Sequence, residues 1–272
     1  MSIRNDDFHH RKRHIELPEK GPIAFVDTGG SGQAILMLHG FSDTGRSFVA
    51  LEPAFPGYRL IIPDLPGHGA SEPGNRMHVS DFAESIDMLM ECLDLSQIAL
   101  IGHSMGAMTA IELAARRRDD ISALILLSAS LTPCFDRETP ISRGIHALTD
   151  PIDPAGQFLV DWYSCSRPVD ADFLSKMKAD AAAMPSAIWR DILNSLDETD
   201  LRLSAAQVTA PVICIGGSLD PLFDGSHREA LSHAFQSVRS ITLDGYGHNP
   251  HWEDPERISA LILSFLAERG VA

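Results

Sequence analysis

Five short runs of the chain are apolar at consecutive positions rather than at alternate ones: 34–38, 59–62, 98–101, 123–127 and 212–215. A half-solvated strand alternates, so continuous hydrophobicity predicts strands covered on both faces. Between and after these runs, 79–93, 105–115, 227–235 and 255–266 carry apolar residues at helical spacing. Strand alternating with helix predicts an α/β fold, a mostly parallel, doubly wound sheet with helices on both faces.

The rhythm breaks between Pro133 and Leu203. Strand-like runs vanish there, and helix-compatible pieces occupy 155–162, 172–183 and 187–196. The segment carries Phe135, Phe158, Trp162, Tyr163, Phe173, Met177, Met184 and Trp189, more apolar surface than a solvated excursion needs. It is expected to pack over the sheet as a helical cap. The domain organisation expected is a core of 1–132 and 204–272 with a cap inserted at 133–203, and no internal repeat is visible.

Composition narrows the class. Of 272 residues, 44% are hydrophobic and 22% charged, as in an ordinary globular protein. No stretch approaches the roughly 18 uncharged apolar residues of a membrane span. A formal net charge of -15 argues against nucleic-acid or anionic-membrane partners, because phosphates would be repelled over most of the surface. The one basic cluster, His9, His10, Arg11, Lys12, Arg13 and His14, has no apolar run behind it. It reads as a solvated leader or the edge of a first strand rather than a secretory signal. Cys92, Cys134, Cys165 and Cys214 form no C-x-x-C pair and no zinc spacing, so free thiols in a reducing cytoplasm are expected. Cys92 and Cys214 lie in apolar runs and are expected to be buried.

The chemistry centres on Gly102-His103-Ser104-Met105-Gly106, between an expected strand and an expected helix. Its glycines leave room for a strained serine and close strand-to-helix packing, and the Met105 amide opens the helix toward a developing oxyanion. A serine hydroxyl needs a base, and the base needs an acid to fix its tautomer. His248, on a glycine-rich loop after a strand, is favoured over His251, which lies beyond Asn249-Pro250 and near a helix cap. Asp220, directly after the strand at 212–215, is favoured over Asp224, which is placed to cap the helix starting near Ser226. The second oxyanion donor is the amide of Phe41, with Gly40 admitting the backbone. His39 reads as a brace of that loop, and Asp64 and His68 as residues shaping the loop 64–71. Phe41, His103 and Met105 are expected beneath the substrate, with Trp162, Trp189 and Leu222 closing the pocket. Arg190 is a candidate to hold a substrate carboxylate, against a solvated helix face.

Through His39-Gly40, Asp64 to Ser71, Gly102 to Gly106, Asp220 and Gly247-His248, the chain resembles the α/β-hydrolase superfamily, with Ser, Asp and His in that family's order. The resemblance runs from about Ile15 onward. It implies a serine hydrolase with a Ser104-His248-Asp220 triad, working without metal or organic cofactor. The family's haloalkane dehalogenases and epoxide hydrolases use aspartate at the elbow, so Ser104 speaks against both. Phe41-Ser-Asp-Thr-Gly lacks the proline-containing stretch of its carbon-carbon hydrolases and iminopeptidases, and the mixed cap is unlike the apolar lid of long-chain lipases. The resemblance therefore implies a carboxylesterase-like enzyme for a small to medium ester or lactone. A triad-retaining small-molecule receptor, or a cofactor-free haloperoxidase or lyase of the same fold, remains the alternative.

Overall fold

The computed structural model describes residues 7–270. A short helix α1 (Asp7–His10) precedes an antiparallel pair, β1 (Arg13–Leu17) and β2 (Gly21–Asp27). Then come β3 (Ala34–Leu38), β4 (Arg59–Pro63), α2 (Val79–Cys92), β5 (Ile98–His103), α3 (Met105–Arg116) and β6 (Ile121–Leu127). Five helices follow before the next strand: α4 (Pro140–Ala147), α5 (Gln157–Trp162), α6 (Ala171–Ala183), α7 (Ser186–Asp197) and α8 (Arg202–Gln207). The chain ends with β7 (Val212–Gly217), α9 (Gly225–Ala234), β8 (Val238–Leu243), α10 (Pro250–Glu253) and α11 (Pro255–Glu268).

The eight strands form one sheet in the order β1-β2-β4-β3-β5-β6-β7-β8. From β4 to β8 every pairing is parallel, and only β1 and β2 run antiparallel to their neighbours. All five continuous apolar runs lie in this sheet, and its central strands are covered on both sides. Leu36, Leu38, Leu100 and Leu126 face a core shared with α2 and α3, while Ile35, Met37, Ile101 and Ile125 face the other core with α11. Alternate residues therefore serve two cores, which is why neither face is polar.

One expectation is met in part and one is corrected. Most of the basic cluster is exposed, but Lys12 reaches inward to a buried carboxylate, its Nζ 2.6 Å from Asp64 Oδ2. Arg13 and His14 do lie on the edge strand β1. Cys92 is exposed, because the last residue of α2 falls off the stripe made by Phe82, Ile86, Leu89 and Met90, whereas Cys214 on β7 is buried. Among the described residues, no helix is long and apolar enough to cross a membrane.

Candidate active site

Strands β5, β7 and β8 deliver three side chains to one edge of the sheet. Ser104 stands between β5 and α3 with φ 51° and ψ -118°, a backbone state that ordinary side chains avoid. Tight packing leaves little choice. A Cβ on Gly106 would meet Leu38 O at 2.1 Å and His39 O at 2.4 Å, so the first turn of α3 sits directly against the end of β3. The Ser104 amide donates to Leu127 O of β6 at 2.9 Å, fixing the turn from its other side.

The Ser104 hydroxyl lies 2.9 Å from His248 Nε2. On the far side of the ring, Nδ1 is 2.9 and 2.8 Å from the two oxygens of Asp220. With a carboxylate at Nδ1, the hydrogen belongs there and Nε2 is left to accept from the serine. Asp220 Oδ1 also accepts from the amides of Leu222 and Phe223. Burial pushes this carboxyl up, but His248 and the two amides outweigh it and hold it below the ordinary carboxylate value. Asp224 instead caps α9, accepting from the Ser226 amide at 2.8 Å. His251 is buried away from the serine, its Nε2 3.0 Å from Ser47 Oγ.

The loop after β3 covers the same edge. A Cβ on Gly40 would come 2.8 Å from His103 Nδ1 and 3.3 Å from Ser104 Cβ, so only glycine lets the Phe41 backbone pass so close to the serine. Met105 opens α3, and the amides of a helix's first turn have no carbonyl within the helix to donate to. Both expected oxyanion amides thus belong to segments packed around Ser104. His39 braces this loop, accepting from the Leu65 amide at 2.9 Å while its Nδ1 is 2.8 Å from Gly40 O. Asp64 accepts from the amides of Gly45 and Ala70, and His68 Nδ1 lies 3.0 Å from Pro66 O, so both shape loops.

Residues 33–144 match the family model described as alpha/beta hydrolase fold. An esterase from Exiguobacterium antarcticum superposes with a TM-score of 0.84 at 20% identity, over 93% of this chain and 98% of that one. The chain has the α/β-hydrolase fold. It is also similar to the magnesium-chelatase 30 kDa subunit of Rhodobacter capsulatus, 28% identical over 270 residues, 90% of this chain and 92% of the relative. The pimeloyl-acyl-carrier-protein methyl ester esterase of Yersinia pseudotuberculosis is 27% identical over 254 residues, 89% of this chain and 96% of the relative. That fold hosts many reactions, so the likeness names the scaffold and leaves the chemistry to the site.

Within this fold a cavity of about 390 Å³ opens above Ser104. Phe41, His103, Trp162 and Leu222 line it, together with Asp43, Met108, Phe158 and Tyr163. Met105 is fully buried and its side chain is not among the lining residues. Trp189 is a correction. It is buried at 0% exposure behind the wall, its ring against Phe41, Phe158 and Trp162 and its Nε1 donating to Ala181 O. The indole was drawn into the packing between α6 and α7 because its N–H finds a carbonyl there. Arg190 is likewise not directed at the cavity: its guanidinium donates to Leu148 O and Ser186 Oγ.

Three residues of the site escaped the sequence reading. Asp43 lines the cavity and is 3% exposed, with Tyr163 OH 3.2 Å from Oδ1 and Ser47 Oγ 3.3 Å from Oδ2. Burial raises its pKa, although His103 nearby works in the other direction. Tyr163 OH also lies 3.1 Å from Ser42 O, while Trp162 Nε1 donates to Ser42 Oγ at 2.8 Å, so the end of α5 is fastened to the loop after β3. Glu253 accepts from the amides of Gly247 and Ser166, bracing the loop that carries His248. His103 Nε2 donates to His248 O at 3.0 Å and holds the same loop from below. The only signal for Asp43 was its place in a polar stretch directly after a buried strand.

Proposed function

We propose that this chain is a serine hydrolase that cleaves a small to medium carboxylic ester or lactone through an acyl-enzyme on Ser104. The observation that carries the reading is the continuous hydrogen-bonded line from Ser104 Oγ through His248 to Asp220, starting at a strained elbow residue. A relative named as a methyl ester esterase supports ester hydrolysis in general terms.

Ser104 Oγ bonds to the substrate carbonyl carbon as its proton passes to His248 Nε2, and the carbonyl π electrons move onto oxygen. The amides of Phe41 and Met105 receive that oxyanion, each such donor being worth about 10²–10³ in kcat. Collapse breaks the bond to the leaving oxygen, which takes the proton from Nε2. Water then adds to the acyl carbon while giving a proton to Nε2, and the second collapse returns that proton to Ser104 and frees the acid. Asp220 keeps the Nδ1–H tautomer and balances the imidazolium. These steps use protein groups and water alone. In this reading 1–132 and 204–272 form the core, and 133–203 is a cap that shapes the cavity and so selects a small-molecule substrate.

The test is a fluorophosphonate label located by mass spectrometry, with hydrolysis of a small aryl ester by wild type and Ser104→Ala. Labelling at Ser104 and loss of turnover in the variant are expected. Full activity in Ser104→Ala, or a label on another residue, would sink the assignment. Rapid multiple turnover separates the enzyme from a receptor of the same fold, which would stop at a persistent adduct.

A further inference from the structure

The wall of the cavity above Ser104 carries formal charge of one sign. Two carboxylates line it: Asp43, buried beside His103, and Asp161, on α5 and exposed at the rim. No lysine or arginine is among the lining residues described. Three arginines of the helical segment are engaged elsewhere. Arg190 holds the carbonyl of Leu148, the Arg167 guanidinium lies 4.4 Å from the centre of the Tyr246 ring, and exposed Arg143 is 4.0 Å from Glu138. The remaining wall is largely aromatic and aliphatic. An anionic group entering it would shed water and meet no cation in return. The amides of Phe41 and Met105 are no substitute, because in the proposed reaction they serve the oxyanion.

We propose that this site selects uncharged, apolar esters or lactones and rejects substrates whose acyl or alcohol part bears a carboxylate or phosphate. The inference rests on the proposed hydrolysis and adds its substrate class. It has a consequence for turnover. Hydrolysis converts a neutral ester into an acid that ionises within the cavity, so the wall that admits the substrate repels the product. Weak product inhibition follows.

The experiment compares matched aryl esters of a hexanoyl chain ending in methyl, carboxylate or trimethylammonium, with Ser104→Ala as the control for site-specific turnover. The neutral ester is expected to exceed the carboxylate in kcat/KM by about tenfold or more, with the cation between them; a cation preferred over the neutral ester overturns the selection of uncharged substrates. Asp161→Asn and Asp43→Asn should each narrow the gap between neutral and anionic esters, and added salt should narrow the part due to exposed Asp161. Calorimetry with Ser104→Ala compares binding of methyl hexanoate and mono-methyl adipate without requiring turnover. Ser104-dependent hydrolysis that prefers the carboxylate overturns the substrate class and leaves the hydrolase standing. Absence of Ser104-dependent hydrolysis overturns the hydrolase, and tighter binding of the anion to Ser104→Ala overturns the substrate class independently.

Discussion

Asp220 and Asp224 stand four residues apart, yet their carboxylates have different partners. Asp220 faces His248 Nδ1 with both oxygens, whereas Asp224 accepts from Ser226 at the start of α9. If Asp220 orients the base, Asp220→Asn presents an N–H to Nδ1 and reverses the histidine's tautomer, so kcat should fall by about 10⁴ with the fold intact. Asp224→Ala should keep its turnover and lose a little thermal stability. Steady-state kinetics and melting curves on the pair check this, and equal losses of turnover would remove Asp220 from its role. Ser104 and Asp220 were legible because each lies near a glycine or proline just past an apolar strand, and His248 because Gly245, Gly247 and Pro250 surround it, so that local sequence alone implies a turn. Asp43, Tyr163 and Glu253 were not. Tyr163 meets Asp43 across 120 positions and Glu253 meets Ser166 across 87, and no local pattern announces such contacts.

Helix α6 is joined to the loop after β3 by an ion pair buried on both sides. Arg46 Nε lies 2.8 Å from Asp180 Oδ2, which also accepts from Thr44 Oγ1, while His9 Nε2 is 3.3 Å from Oδ1. Burial pushes the Asp180 carboxyl up, but His9 and Arg46 overcome it and bring the value down to about 2. A folded value below the ordinary carboxylate value of 3.8 means that this carboxylate stabilises the fold above about pH 4. The stabilisation is lost as pH falls from there toward 2. Asp180→Ala should lower stability at neutral pH by about 1–3 kcal/mol, since it removes the carboxylate that accepts from Arg46, Thr44 and His9. Its urea midpoint should also vary less than wild type between pH 4 and about 2. An unchanged midpoint at neutral pH would show that the pair contributes nothing net. Element by element, legibility tracked burial except at β2, which buries Ile23 to Val26 and was not anticipated. The five strands with two covered faces stood out, whereas β1 is mostly exposed and β8 has a single buried residue, so neither has a continuous apolar signature. The short helices α4 and α8 bury only two residues and one, too few to set a period.

Across the molecule, β3, β5 and β6 lie mid-sheet with a strand on each side and a core on each face, so their amides are released only when most of the fold opens. Helix α5 is six residues long and buries one of them, and its C-terminal end is tied to the core by Trp162 and Tyr163 bonding to Ser42 and Asp43. The helix and the loop carrying Phe41 should therefore open together, at a free energy below that of the sheet. Tyr163→Phe removes one hydroxyl from this junction, a change of about 0.5–1.5 kcal/mol. In hydrogen exchange followed by mass spectrometry, peptides from α5 and from 40–44 should speed up in parallel, while β5 and β6 stay as slow as in wild type. If the loop also sets the oxyanion geometry, kcat should fall with it. Faster exchange in α5 alone would mean that the helix moves without the loop, and uniform acceleration would mean that the hydroxyl supports the whole fold rather than this junction.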